Sequence, residues 1–328
     1  MTQEKIQPGA FDGLTPDRML NAVEEAIREP LTAYNHPFPS YINRVYELQT
    51  KDGSRIVAKF YRPDRWTREA IGQEHRFVLE CAEADIPVVA PIHLSTGETL
   101  ADCEDIPFAV FPKKGGRQFE VNTDADWQRL GSLIARIHLV GERHTADTRV
   151  TIDPRHSTRA DLAYLLEHVI PSHYAERYES SARRVIEIAG SLFAEERVIR
   201  VHGDCHQGNI LDRLDEGLMV IDFDDMAMGP AMQDLWLLLP EHANKAKREI
   251  DLLLAGYERL RKIDHTSIKL IEPLRAMRMI YFLAWVSRQR NDHQFRRNFP
   301  DWGSDRFWEQ EIRDLREQVA VIYEHLEV

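Results

Sequence analysis

Asp204, Asn209 and Asp222 follow one another at offsets of five and thirteen residues, inside His202-Gly-Asp-Cys-His-Gln-Gly-Asn-Ile-Leu and Val220-Ile-Asp-Phe-Asp. A carboxylate, an amide and a second carboxylate are what phosphoryl transfer asks of a protein: one group to receive a hydroxyl proton, and oxygen ligands for a metal beside the phosphates. On this reading Asp204 takes the proton. Asn209 and Asp222 share one Mg2+, an ion that takes carboxylate, phosphate and water in preference to a closed protein cage. Ile210-Leu and Met219-Val-Ile flank the turn-rich Asp212-Arg-Leu-Asp-Glu-Gly. That pattern predicts a hairpin that folds Asp222 back beside Asn209.

The same chemistry demands a cation for the phosphates of ATP and an acid to orient it. Lys59 meets the first demand, in the β-rich run Arg55-Ile-Val-Ala-Lys-Phe-Tyr. A helix capped by Thr67 follows, with Ile71, Phe77, Val78, Cys81 and Ala82 as apolar contacts. Glu74 on that helix is the expected ion-pair partner of Lys59, with Glu69 in reserve. The phosphate-covering turn falls at Pro39-Ser-Tyr-Ile-Asn-Arg, without glycine. There Ser40 offers a hydroxyl and Asn43 favours a turn whose N–H groups face anionic oxygens. Phe111-Pro-Lys-Lys-Gly-Gly is a cluster of breakers and reads as a hinge, with the backbone of Val110 and Phe111 nearest the adenine.

Other residues near these invite assignment. His202 reads as a buried scaffold for the loop, and Asp234 as the buried acid that anchors loop amides. His206 reads either as a group facing the transferred phosphoryl or as a bystander. Asp224 reads either as a contact to the metal site, made through another ligand or to a second ion, or as a solvated turn residue. Cys205 reads as a small structural thiol, because the neighbouring aspartate raises its pKa. Arg275 and Arg278 read either as groups reaching the acidic site or an incoming substrate or as solvated or salt-bridged surface, and Leu274, Met277, Ile280, Tyr281, Ala284 and Trp285 as a core stripe at helical spacing.

The 328 residues exceed one usual core, and 43% hydrophobic content fills two. A net charge of -12 argues against nucleic-acid partners, which require a basic surface, and suits a basic protein or a cationic small acceptor. Cys81, Cys103 and Cys205 are scattered and form no Cys-x-x-Cys pair. No apolar leader and no run of 18 apolar residues is present, which gives the expectation of a cytoplasmic protein with no membrane partner. Periodicity predicts a helix over 15–28, strands near 41–49, 54–61, 91–94 and 107–111, and then helices near 127–140, 159–169, 174–194, 230–239, 245–262, 268–290 and 305–326.

His-Gly-Asp-x-His-x-Gly-Asn followed by Asp222 resembles the catalytic loop and Asp-Phe-Gly element of protein kinases, in the form carried by aminoglycoside and choline kinase-like phosphotransferases. Longer blocks extend the likeness: Asn43-Arg-Val-Tyr, Val57-Ala-Lys-Phe-Tyr-Arg-Pro-Asp-Arg-Trp, Phe108-Ala-Val-Phe-Pro, Gly115-Gly-Arg-Gln-Phe-Glu, Gly229-Pro-Ala-Met-Gln-Asp-Leu-Trp and Glu272-Pro-Leu-Arg-Ala-Met-Arg. They resemble the bacterial stress response kinase A family over about residues 15–310.

The resemblance implies a cytosolic, monomeric serine/threonine protein kinase tied to envelope and oxidative stress. It also implies Asp204 as proton acceptor, Asn209 and Asp222 as magnesium ligands, Asp222 as a second active-site residue, and Ser40 in contact with ATP. The implied fold is α+β, two-lobed and protein-kinase-like. Residues 1–111 would form a small β-rich nucleotide-binding N-lobe, 112–116 the hinge, and 117–328 a large helical C-lobe with the catalytic loop and metal site. The alternatives are a small-molecule kinase acting on an amino alcohol, sugar or aminoglycoside, and a nucleotide-binding regulator that transfers nothing.

Overall fold

In the computed structural model, which describes residues 10–40, 42–213, 216–292 and 295–327, the chain begins α1 (Pro16–Ile27), β1 (Leu31–Pro37), β2 (Arg44–Thr50) and β3 (Arg55–Phe60). It continues α2 (Arg68–Glu83), β4 (Ala101–Cys103), β5 (Ile106–Pro112), β6 (Arg117–Gln118), α3 (Asp124–Gly141), α4 (Arg159–His168) and α5 (Ser172–Leu192). Then come β7 (Val198–Val201), β8 (Ile210–Arg213), β9 (Gly217–Val220), β10 (Ala227–Pro230) and α6 (Met232–Trp236). Last are α7 (Lys247–Tyr257), α8 (Ile271–Ser287), α9 (Phe295–Asn298) and α10 (Asp305–Leu326). Two compact units result, each discontinuous along the chain. One comprises the chain up to Glu120 with 146–149 and 207–225; the other comprises 121–145, 150–206 and the chain from Met226 onward.

The first unit is built on an antiparallel sheet in the order β1-β2-β3-β5-β4. Its core joins Met19 and Val23 of α1 to Leu48, Phe60 and Phe108, the two phenyl rings stacked 5.1 Å apart. Thr15 accepts a hydrogen bond from Arg18 N and Thr67 one from Ala70 N, so both expected caps start their helices. Two strands of this sheet escape sequence reading. β1 buries only Leu31 among its polar residues, and β4 is three residues long. The strand expected at 91–94 does not form: Ile92 N donates to Val110 O, and Leu94 N closes a turn onto Glu98 O. Tyr41, where β2 was expected to begin, and Leu214 and Asp215 of the hairpin turn lie outside the described residues.

The second unit is mainly helical. α4, α5, α8 and α10 share a core that includes Leu165, Tyr178, Val185, Ile280 and Trp308. α3 and α7 cross where neither backbone leaves space for a side chain: a Cβ on Gly131 would stand 1.9 Å from Leu253 O, and one on Gly256 2.1 Å from Gln128 O. β7 and β10 pair antiparallel, with Pro230 opposite Val198. That pairing takes 227–230 into a strand, so α6 is shorter than the helix expected over 230–239. The stripe on α8 is core only in part, because Leu274, Met277, Ile280 and Ala284 are buried while Tyr281 and Trp285 are half-buried. A small sheet-based unit and a larger helical one give the α+β class that the sequence predicts.

Candidate active site

In the first unit β8 and β9 form the predicted hairpin, with Ile210 opposite Val220. The ladder continues one step further, where Ile221 N donates to Asn209 O at 3.0 Å. Asp222 is therefore next to the residue paired with Asn209. Its φ of 61° lies in the left-handed region, which aspartate tolerates far better than a β-branched residue, and this bends the chain out of β9.

Lys59, on β3 between Val45 of β2 and Ala109 of β5, reaches Asp222 Oδ1 at 3.0 Å and Asp224 Oδ1 at 3.2 Å. Burial alone would lower the lysine pKa. Asp222 and Asp224 outweigh it and hold the ammonium well above its ordinary value. The acid that pairs with Lys59 is thus not Glu74. Glu74 is 2% exposed, its Oε2 stands 4.0 Å from Arg149 Nη1, and burial pushes its pKa up to about 7 against the opposing pull of Lys59. Glu69 lies exposed in the first turn of α2.

Asp224 is not a solvated turn residue. It is buried, with Oδ1 beside Lys59, and Oδ2 accepting from Arg65 and, at 3.3 Å, from Asn43 Nδ2. Arg149 donates to its carbonyl, and Arg65 also reaches Asp225 Oδ1 at 2.6 Å. Burial would raise the Asp224 pKa, but Arg65, Lys59 and Arg149 bring it below the usual carboxylate range. Arg65 and Arg149 were missed in the sequence. Arg65 lay within the quoted Arg-Pro-Asp-Arg-Trp block, whereas Arg149 carries no local signal.

Ser40 is half-buried in the turn between β1 and β2, which Phe38 N closes onto Val45 O at 2.8 Å. Val110 is buried opposite Ala58, its carbonyl accepting from Ile92 N, and Phe111 sits opposite Val57 with its ring edge-on to His75. Among the described residues no group of three or more His, Cys, Asp or Glu could hold a metal ion. Magnesium shared with a nucleotide needs only one or two protein oxygens. Asn209 and Asp222 fit that requirement as hard oxygen donors joined by the hairpin, the Asp222 side chain being 54% exposed.

In the second unit Asp204 lies in the loop after β7. Asp234 at the start of α6 organises that loop, accepting from His202 N at 2.7 Å, Gly203 N at 2.9 Å and His138 Nε2 at 3.0 Å. Gly203 has φ 85°, where a side chain is strained. His202 is wholly buried and its Nδ1 accepts from Asp204 N at 3.3 Å, the scaffold role expected of it. Cys205 is buried and its thiol is pushed well up by burial and by Asp234 and Asp204.

The Asp204 carboxylate faces two basic groups: Arg278 Nη2 at 2.6 Å from Oδ1, and His206 Nε2 at 3.6 Å from Oδ2. Burial would raise its pKa, yet His206 and Arg278 outweigh burial and hold the acid below its ordinary range. A carboxylate so held stays ionised, available to accept a hydrogen bond from an alcohol.

Comparison with known proteins agrees with this chemistry. The profile of the phosphotransferase enzyme family, APH, matches residues 36–271. Stress response kinase A of Escherichia coli O157:H7 is 37% identical over 324 residues, covering 96% of this chain and 95% of that protein. Serine/threonine protein kinase RdoA of Salmonella typhimurium LT2 is 35% identical over 324 residues, with the same coverage of 96% and 95%. Among solved structures, amicoumacin kinase hAmiN in complex with AMP-PNP, Ca2+ and Ami superposes with a TM-score of 0.72 at 17% identity, covering 92% of each chain. The chain belongs to the phosphotransferase enzyme family, among the relatives of stress response kinase A, and is a kinase.

Proposed function

We propose that this kinase is an ATP- and magnesium-dependent serine/threonine protein kinase, and the observation that carries the reading is Lys59 held 3.0 Å from Asp222 on the hairpin that also bears Asn209. Lys59 orients the α- and β-phosphates, Ser40 contributes to the turn over them, and the backbone at Val110 and Phe111 faces adenine. Glu74, held beside Arg149, steadies the charge around Lys59. Asn209 and Asp222 hold the ion, which when bound neutralises phosphate charge. Asp204 orients the acceptor hydroxyl and receives its proton, and Arg278 and His206 keep that carboxylate ionised. The proposal retains residues 1–111 as the nucleotide lobe, 112–116 as hinge and 117–328 as the lobe bearing the catalytic loop. It also retains a monomer in the cytoplasm, where reduced thiols accord with three buried free cysteines.

Protein hydroxyls are the preferred acceptors because the Salmonella relative is named a serine/threonine protein kinase and the alignment covers 96% of this chain. A small-molecule acceptor is the second reading, favoured by the fold likeness to an amicoumacin kinase and by the net charge of -12, which suits a cation. Incubation with γ-labelled ATP and Mg2+ separates them. Label on serine or threonine of a protein acceptor is the expected outcome. Label only on an amino alcohol, sugar or aminoglycoside would replace it with the second reading, and nucleotide binding without turnover would leave a regulator.

A further inference from the structure

One carboxylate, Asp224, touches three segments that face a nucleotide's phosphates. Its Oδ1 stands 3.2 Å from Lys59 Nζ on β3. Its Oδ2 accepts from Asn43 Nδ2 at 3.3 Å, and Asn43 Oδ1 accepts from Arg62 N at 3.0 Å, so the turn between β1 and β2 is tied to the chain just after β3. Arg65 spans Asp224 and Asp225, and Arg149 donates to the Asp224 carbonyl, which fixes the segment just beyond Asp222. Of the two carboxylates on Lys59, the side chain of Asp222 is 54% exposed and that of Asp224 6%. The exposed carboxylate has room to rotate, whereas Lys59, Asn43 and Arg65 hold the buried one in place.

We propose that Asp224 is the positioning residue of the phosphate site: it holds Lys59 and the turn between β1 and β2 in register with Asp222, and it remains the partner of Lys59 when Asp222 turns to the metal. This rests on the reading of Lys59 as the group that orients the phosphates of ATP. An ammonium carries three N–H donors. Asp222 and Asp224 take two of them, which leaves one for a phosphate oxygen, and a second once Asp222 swings away. A lysine anchored by Asp222 alone would lose its fixed direction at that moment, because its four-carbon stem is flexible. Among the described residues Glu74 makes no ion pair with Lys59 and acts on it through charge alone. The anchor of the lysine therefore rides on the segment that carries Asp222, not on α2, and the two phosphate-facing groups keep a common frame.

The test is a double-mutant cycle between Asp224→Asn, which keeps the shape and drops the charge, and Lys59→Met. Cleavage of γ-labelled MgATP is followed in a single turnover with a basic protein as acceptor, and ATP affinity is measured by equilibrium binding in EDTA and in Mg2+. Thermal unfolding establishes that each variant is folded. If Asp224→Asn does not fold, Arg65→Gln combined with Asp224→Asn takes its place, removing a cation together with the carboxylate. Asp224→Asn is expected to slow transfer about 10–100-fold, the cost of a reacting group misplaced by about 1 Å, with ATP affinity kept within a few-fold in both media. In the Lys59→Met background the same change should cost nothing further, and Glu74→Gln alone should lose less than Asp224→Asn. An equal loss in both backgrounds would show that Asp224 does not act through Lys59 and would overturn the proposal. So would a higher Mg2+ requirement for binding in Asp224→Asn, which would make it a metal contact, or a loss in Glu74→Gln as large as its own. A wild type that binds MgATP and never cleaves it would instead remove the kinase reading, and the proposal with it.

Discussion

Arg278 reaches from α8 to the carboxylate of Asp204, 2.6 Å between Nη2 and Oδ1, and with His206 it holds that acid ionised below the usual carboxylate range despite burial. Proton acceptance requires the ionised form, so the guanidinium extends activity toward acid. Arg278→Gln removes one of the two basic groups, and the acid limb of the pH dependence of kcat/KM should then move up by about 1–2 units. Arg278→Lys should return part of the shift. An acid limb that stays in place in Arg278→Gln would show that Asp204 does not set it.

Asp224 gathers Lys59, Arg65 and Asn43 around one buried carboxylate. Replacing it with alanine leaves Lys59 with Asp222 and Arg65 with Asp225, both more exposed carboxylates, and breaking a buried pair from one side costs about 3–5 kcal/mol. Asp224→Ala should therefore lower the unfolding free energy by about that amount in denaturant titration. Because Arg65 shares this carboxylate, Arg65→Ala combined with Asp224→Ala should cost less than the sum of the single changes. Additive costs within about 0.5 kcal/mol would mean that the two side chains act independently.

Glu74 contributes in the opposite direction with pH. Its carboxyl is raised by burial to about 7, so between its ordinary range and 7 the folded state binds more protons than the unfolded chain. The stability this supplies is fully present below the unfolded pKa and is lost as pH rises through the folded one. Glu74→Gln should flatten the decline between about pH 4.5 and 7, gaining roughly 2–3 kcal/mol relative to wild type at pH 8 compared with pH 4. A parallel pair of stability curves would remove the buried, protonated Glu74 from the account.

Much of the site is local and was legible for that reason. Asn209 and Asp222 sit on a hairpin whose apolar arms and turn residues are written in 15 consecutive residues, 208–222. Thr15 and Thr67 announce helix starts through a hydroxyl three residues before the amide each receives. What was not legible depends on distance along the chain. The partner of Lys59 was expected on the next helix, but Asp222 and Asp224, 163 and 165 residues away, take the ammonium, and no spacing rule links such positions. Asp224 stayed open between a metal-site contact and a turn residue because charge and turn propensity are visible in sequence, whereas the converging Arg65, Asn43 and Arg149 are not. Trp285 looked like full core, and is half-buried, because helical periodicity gives the face of a helix and not the depth at which each position on it lies.

The central claim is that Asp204 takes the acceptor proton in transfer of the ATP γ-phosphate, and single-turnover transfer from labelled MgATP by Asp204→Ala tests it most directly. The account predicts a loss of about 10²–10⁴-fold in the transfer rate with nucleotide affinity held within a few-fold, because the carboxylate acts in the transition state more than in binding. A variant that transfers phosphate at close to the wild-type rate would contradict it.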